Sequence, residues 1–524
     1  MAIGKIINKL RTDTNMSQEQ FAEMFGVSRQ SVQKWESETS LPEIDKLIKI
    51  AKYFDISLDT LILDSDTRIT EELNFNKVLR PKYANMHEWE SYSSNLITEY
   101  RQSIEEGLDI EQYENVFSAV SMLPKNETKK RLGDILFEVV LHSKTSEKYT
   151  YIEPSDLKEI KKLSKCAQVL PNVDKNLLEN KIHGAWMGRI CGCLLGKTVE
   201  GIKTDELIPF LKETENYPMH RYILYSDLND VILNKYKYRF ANRCYADKID
   251  GMPADDDTNY VVLAQKIIEK YGRDFTSYDV SRSWLALQGK DAYCTAERVA
   301  YCNFINGFEP PESAVYKNPY REWIGAQIRG DYFGYINPGK PEIAAEMAFR
   351  DACISHVKNG IYGEMFVAAM LAVAACTDNI KTVIAGGLEQ IPYTSRLYEA
   401  INCVLTGFEN GISQKRCFAD IHERFDENSE HDWCHTISNA MIVTASLLYG
   451  NGDFGKSVCM AVENGFDTDC NGATVGSVIG MANGLNSIGN AWTDPIKDIL
   501  HTSIFGVGTT KISDRVKQTL THIQ

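Results

Sequence analysis

Two groups of carboxylates carry the chemistry this sequence could perform. Asp255, Asp256 and Asp257 stand in succession in GMPADDDTNYVVLAQKIIEKYG, and Asp467 and Asp469 stand two apart in GFDTDCNGATVGSVIG, more than two hundred residues downstream. Each group precedes a helical pattern, where free backbone N–H groups and the helix dipole favour negative charge. An acid at such a place commonly serves as an N-cap and nothing more. Two carboxylates about 4 Å apart, however, repel by about 4 kcal/mol at an effective dielectric of about 20, and three acids at one helix start exceed what a cap requires. A divalent cation relieves that repulsion. Hard oxygen donors without a His/Cys cluster point to magnesium or manganese rather than zinc. We therefore expect Asp256, Asp257, Asp467 and Asp469 to converge on one cation site.

The elements that must position these acids are marked by glycine. Gly472, Gly476, Gly480 and Gly484 recur at every fourth residue, and Gly184, Gly188, Gly192 and Gly196 repeat the step in HGAWMGRICGCLLGKTVEG. On a helix each series draws a side-chain-free stripe down one face. A glycine inside a helix costs roughly 1 kcal/mol relative to alanine, so each series needs an offsetting gain, and close approach of another backbone supplies it. The spacing predicts that helices over about 183–197 and 470–484 lie against each other, closer than the roughly 8–10 Å between ordinary helix axes. If the pair runs suitably, Glu200, just past the first stripe, reaches the acids that precede the second.

A chain of 524 residues, 43% hydrophobic and 25% charged, has the composition of a soluble globular protein of two or three domains. Its net charge of −15 argues against the whole chain coating nucleic acid, so any DNA contact must come from a local surface. Thirteen cysteines without CxxC pairs, and an N-terminus unlike a signal peptide, lead us to expect reduced thiols in a cytoplasm. The longest apolar run, Phe366 to Cys376, is too short to span a bilayer and suits a buried helix.

Residues 1–64 alternate short helical patterns with tight turns. Ser17 and Gln20 have the spacing of a capping box, Gly26 supplies a turn, and Ser28 caps the next helix. Leu10, Phe21, Ala22, Val27, Val32, Trp35, Leu47 and Ile50 would form one small core. The stretch MSQEQFAEMFGVSRQSVQKWESETSLPEIDKLIKIAKYF closely resembles the helix-turn-helix of Cro/XRE regulators. The resemblance implies that the second helix of the motif enters the major groove, with Arg29, Gln30, Gln33 and Lys34 at bases or phosphates and Gln18 at a phosphate. Eight Lys/Arg against ten Asp/Glu in this segment imply weak nonspecific affinity, and a dimer is expected because one small motif reads few base pairs. Residues 65–90, with Pro81 and no clear periodicity, read as a linker, and residues 91–176 as a helical accessory region without a chemical cluster.

Residues 177–524 resemble the ADP-ribosylglycohydrolase (DraG-like) family, through GRICGCLLGKTVEG, ADDDTNYVVLAQ, DACISHVKNGIYGEMFVAAM and GFDTDCNGATVGSVIG among other blocks in the family's order. The resemblance implies an all-α chain overall, a cleft holding two Mg2+ ions, with Mn2+ as the alternative, and cleavage at the anomeric carbon of an ADP-ribosylated target. Carried over by motif, Asp256, Asp257, Thr258, Asp467 and Asp469 are the metal ligands. Asp255 and Glu200 are secondary ligand candidates, because Asp255 stands where the family usually has Thr or Ser, as Cys470 does in the second motif. A water or an Asp255 oxygen is expected to replace the hydroxyl lost at Cys470. Asp257 or Glu200 would take the proton of the attacking water, and the transition state would resemble an oxocarbenium ion.

Arg329 could hold the diphosphate, although an arginine in a helical protein is more often structural. His356 beside an apolar helix, and His435 with Asn439 on one helix face, are further substrate-binding candidates that could equally be core residues. Tyr332 and Phe333 could stack on adenine or pack in the core. Two other functions fit the same features: a transcriptional regulator that senses ADP-ribose or a related nucleotide without turnover, and a hydrolase of another N-glycoside.

Overall fold

Helix signals in the N-terminal segment act where they stand. In the computed structural model, which describes residues 3–54, 56, 58, 61, 88–165 and 169–524, α1 (Ile3–Asp13) precedes α2 (Gln18–Phe25), whose first turn is closed by the reciprocal Ser17–Gln20 capping box. Gly26, at φ 63°, ends α2 in the left-handed region, and Ser28 caps α3 (Arg29–Glu36) by accepting the Ser31 N–H. With α4 (Ile44–Tyr53), these helices bury Ile7, Phe21, Val32, Trp35, Leu47 and Ile50, while Leu10 and Val27 flank that core half-buried. The chain divides into two compact units, Met1–His87 and Glu88–Gln524. Most of the expected linker, with Pro81, lies outside the described residues.

In the second unit, α5 (Leu96–Glu105), α6 (Glu114–Ser121) and α7 (Glu127–His142) build a small core from Leu96, Phe117, Val120, Leu136 and Val140. Buried ion pairs latch this accessory region to the rest of the unit. Arg321 bonds Glu99 at 2.8 Å and Glu106 at 2.6 Å, and Arg396 joins Glu153 at 2.9 Å to Glu322 at 2.8 Å. Such pairs add little net stability over an apolar core, but losing either partner strands a buried charge, so they fix which helices meet.

At the centre of this unit lie α8 (Leu178–Lys197) and, antiparallel to it, α12 (Thr468–Asn483). Gly184 faces Gly480, Gly188 faces Gly476, Gly192 faces Gly472, and Gly196 faces Thr468. A Cβ at any of these glycines would fall within 3.0 Å of the facing backbone carbonyl. The two stripes are therefore each other's partner, as their spacing predicts. The Thr468 hydroxyl donates to the Gly196 carbonyl at 2.9 Å, which ties the last turn of α8 to the first turn of α12. Around them run α9 (Asp256–Tyr271), α10 (Lys358–Ala374) and α11 (Thr436–Gly450), the last two buried on nearly every side. Among the described residues the one sheet is a two-stranded antiparallel ribbon, β1 (Ile499–His501) with β2 (Thr509–Lys511), so the fold is all-α. No described helix is long and apolar enough to cross a membrane.

Candidate active site

The antiparallel run of the glycine pair places the end of α8 beside the start of α12. Glu200, just beyond α8, thereby shares a cavity of about 320 Å³ with Asp467 and Asp469, and α9 contributes Asp256 from its first turn. Asp257 lies behind that surface, fully buried, where its ligand atoms come within 4.8 Å of those of Asp469 and Cys470. Acids separated by more than two hundred residues are thus brought to one place. The approach to Asp467 is bent by Gly465 at φ 71° and Phe466 at φ 56°. A bulky residue in that region stores about 1–3 kcal/mol, held here by burial of Phe466 and by the Trp433 indole N–H donating to its carbonyl. Asn439 accepts the Asp467 N–H at 3.1 Å and the Asn471 carboxamide at 2.7 Å, so this buried side chain positions the start of α12 and does not line the cavity.

Crowding shows in the electrostatics. Asp469, then burial, pushes the Glu200 carboxyl up to about 8. Burial and the neighbouring acids raise Asp256 and Asp467 well above the usual range, and burial followed by the charge of Asp255 raises Asp469. Asp469 Oδ1 and Asp257 Oδ2 are buried and accept no hydrogen bond among the described residues. Two internal cations relieve part of the cluster. Arg189 bonds Asp257 and Asp331, each at 2.9 Å, and the Lys197 ammonium pairs with Asp255.

Both oxygens of Asp255 are committed, one capping α9 through the Asp257 N–H at 2.9 Å and the other on Lys197. Burial opposes its charge, yet the lysine and the cap hold its carboxyl below the usual range. It is therefore not free to replace the missing hydroxyl of the second motif. Cys470, expected beside the acids from the second motif, is joined there by two further thiols. Cys470 lies on the cavity wall, the ligand atoms of Cys193 come within 4.8 Å of those of Asp255 and Asp257, and the Cys434 thiol is 3.5 Å from Asp467 Oδ2. Cys193 and Cys434 are remote in sequence from the acids they meet, so no spacing revealed them.

The family model for ADP-ribosylglycohydrolase matches residues 174–521, more than half of the chain. The chain belongs to the ADP-ribosylglycohydrolase family. A helix-turn-helix family model matches residues 7–61. Over the same end, the chain is 39% identical across 62 residues to the HTH-type transcriptional activator BcrR of Enterococcus faecalis, covering 12% of this chain and 30% of that protein. It is 31% identical across 67 residues to the cryptic phage CTXphi transcriptional repressor RstR of Vibrio cholerae, covering 13% of this chain and 60% of the repressor. The chain thus spans less than two thirds of either relative. A solved ADP-ribosylglycohydrolase-related protein complex aligns with 66% of this chain and 98% of its own at 16% identity and a TM-score of 0.42.

Several candidates within the ADP-ribosylglycohydrolase domain do not reach the cavity. Arg329, 2% exposed, is consumed by Asp351 at 2.5 Å, Glu297 at 2.7 Å and Glu364 at 3.4 Å, so its guanidinium is structural. His356 is buried against Ser355 Oγ at 2.8 Å, and Tyr332 and Phe333 are core residues. Thr258 is buried, its hydroxyl donating to the Asp255 carbonyl at 3.1 Å. His435 forms a second cluster with His431 and Glu105. There the Trp323 indole N–H donates to His431 Nδ1 at 3.2 Å and the Ile437 N–H to His435 Nδ1 at 3.1 Å. His431 Nε2 therefore carries the ring proton and faces Glu105 at 3.1 Å as a donor, the reverse of what a metal requires, whereas His435 Nε2 stands 3.8 Å from both Glu105 and Glu322 and makes no hydrogen bond among the described residues. Sequence reasoning missed the aromatic walls of the cavity, Trp89, Tyr260, Tyr320, Trp323 and Trp433.

In the helix-turn-helix domain, Arg29, Gln30, Gln33 and Lys34 are all exposed on α3, opposite the buried Val32 and Trp35. The Gln18 carboxamide donates to Glu36 at 2.7 Å, inside a network with Arg11 and Asn8, so it is already engaged within the unit. Arg29 is 3.8 Å from Glu19, an exposed pair of little energetic weight.

Proposed function

We propose that the chain is a divalent-cation-dependent hydrolase of the glycosidic bond at the ribose anomeric carbon of an ADP-ribosylated substrate, joined to a DNA-binding regulatory unit. The observation that carries the reading is the convergence of Glu200, Asp256, Asp467 and Asp469 on one cavity, with buried carboxylate oxygens of Asp257 and Asp469 left unsatisfied among the described residues. These residues fit a cation site, because oxygen donors this close need positive charge to be stable together. Asp256, Asp257, Asp467 and Asp469 would hold magnesium, with manganese as the alternative, since both take carboxylate oxygens. Bound there, the ions supply Lewis acidity toward the ribose hydroxyls and a more acidic water.

The protein's own part follows from where its carboxylates stand. Glu200 faces the same cavity as Asp467 and Asp469, which places its carboxylate to take the proton of the attacking water. Asp257, engaged by Arg189 beneath the surface, suits a ligand role better than a base. Negative charge on one side of the ribose favours the cationic character that develops at its anomeric carbon as the bond breaks. The test is turnover of a panel of ADP-ribosylated proteins, nucleic acids and small molecules with and without Mg2+ or Mn2+. Cation-dependent release of ADP-ribose is expected from at least one. Binding without release across the panel would favour the sensor instead.

For the N-terminal unit, α3 would present Arg29, Gln30, Gln33 and Lys34 to the major groove of duplex DNA, as a dimer in a cytoplasmic setting. Arg29→Ala is expected to weaken operator binding by about 1–3 kcal/mol in a gel-shift titration if Arg29 makes a bidentate base contact. Unchanged operator selection would remove it from the reading surface.

A further inference from the structure

One wall of the acidic cavity comes from outside the family domain. Trp89 stands before the accessory region and the matched residues 174–521, in a helical turn (Glu88–Glu90) at the end of the segment expected as a linker, yet it lines the same cavity as Glu200, Asp256, Asp467 and Asp469. Its segment is held there by the main chain and by its neighbour. The Trp89 carbonyl accepts the Tyr320 hydroxyl at 2.7 Å and the Asn95 carboxamide at 2.7 Å. Glu90 bonds Arg298 at 2.6 Å and Lys290 at 3.1 Å. The indole is half-buried, and the Arg298 guanidinium lies over its ring, 4.4 Å from the centroid, which fixes the orientation in which the ring meets the cavity. Tyr332 and Phe333, the aromatic candidates within the family domain, are buried in the core.

We infer that Trp89 forms a base-stacking subsite for the adenine ring of the ADP-ribosyl group, so that the end of the segment expected as a linker, outside the family domain, supplies part of substrate recognition. The inference rests on the function proposed above. A cavity lined by both carboxylates and indole and phenol rings matches the two halves of such a ligand: a polyhydroxylated ribose for a cation site, and a planar base for an aromatic face. Because the anchors of the segment are the Trp89 carbonyl and the Glu90 side chain, truncating the indole leaves them in place.

Equilibrium binding of free ADP-ribose and of ribose 5-phosphate, with Mg2+ present, to the full-length chain and its Trp89→Ala and Trp89→Phe variants tests this. Trp89→Ala is expected to bind ADP-ribose about tenfold more weakly while ribose 5-phosphate is unaffected, and Trp89→Phe to recover most of the loss. Unchanged ADP-ribose affinity in Trp89→Ala would overturn the subsite. So would an equal loss for both ligands, which is the mark of a merely structural residue. A wild-type chain that binds neither ligand would overturn the proposed function and the subsite together.

Discussion

The two acidic helix starts read alike in sequence and differ in how their charges are satisfied. At the start of α9, Asp255 caps the helix and pairs with Lys197, and Asp257 pairs with Arg189. At the start of α12, Asp467 makes no side-chain cap, its carboxylate neighbours are a thiol and Asp469, and one oxygen of Asp469 has no hydrogen bond among the described residues. The α9 end carries counter-charge for Asp255 and for one oxygen of Asp257, although Asp257 Oδ2 is left without a hydrogen bond among the described residues, and the α12 end carries the larger deficit. A helix start rich in acid is therefore not by itself a cation site; the unsatisfied one makes the demand.

That contrast exists only while α8 holds the two ends together, so the largest effect is expected from the glycine stripe. Gly476→Leu drives a side chain into the Gly188 carbonyl and should destabilise the second unit by more than about 3 kcal/mol, read by chemical denaturation. Near wild-type stability would show that the backbones are not in contact at this position.

Next come the acids themselves. Asp469→Asn should weaken Mn2+ binding by about tenfold or more by calorimetry, because it removes the charge of a carboxylate whose Oδ1 is buried without a hydrogen bond among the described residues. Asp255→Asn should change Mn2+ affinity less and cost about 1 kcal/mol or more of stability by leaving Lys197 unpaired, since asparagine caps a helix as well as aspartate does. Equal effects on affinity would erase the distinction between the two starts.

A further effect is expected on pH dependence. The folded chain holds the Glu200 proton up to about 8, whereas an unfolded glutamate releases it near 4.5. Stability from this group is complete below 4.5 and is lost as pH rises through about 8. The cation-free chain should therefore melt lower at pH 8 than at pH 5, and Mn2+ should raise the melting temperature more at the higher pH. A flat profile without cation would mean that the cluster carries its charge unaided.

Features written in nearest neighbours are legible in the sequence. Ser17 and Gln20 form a capping box because the two side chains, one helical turn apart, each reach the other's backbone N–H, and the period of Gly184 to Gly196 states that something without side chains must lie alongside. The acids are legible as a set because like charges at two helix starts pose a problem that proximity to a cation solves. Arg329 and His435 are not legible: each is a polar residue beside an apolar helix, and whether it faces a ligand or a buried acid depends on chain that is remote in sequence.

The sequence alone determined which segments are helices, which two must touch, and which carboxylates are too many for caps, since these follow from local sterics and from the cost of bare charge. Tertiary structure decided the partners. It sent Lys197 to Asp255 and Arg189 to Asp257, turned Arg329 inward, gathered Cys193, Cys434 and Cys470 around the acids, and set Trp89 on the cavity wall. Pairing of charges and rings depends on distances that the chain acquires only once α8 and α12 have closed on each other. No spacing along the sequence encodes them.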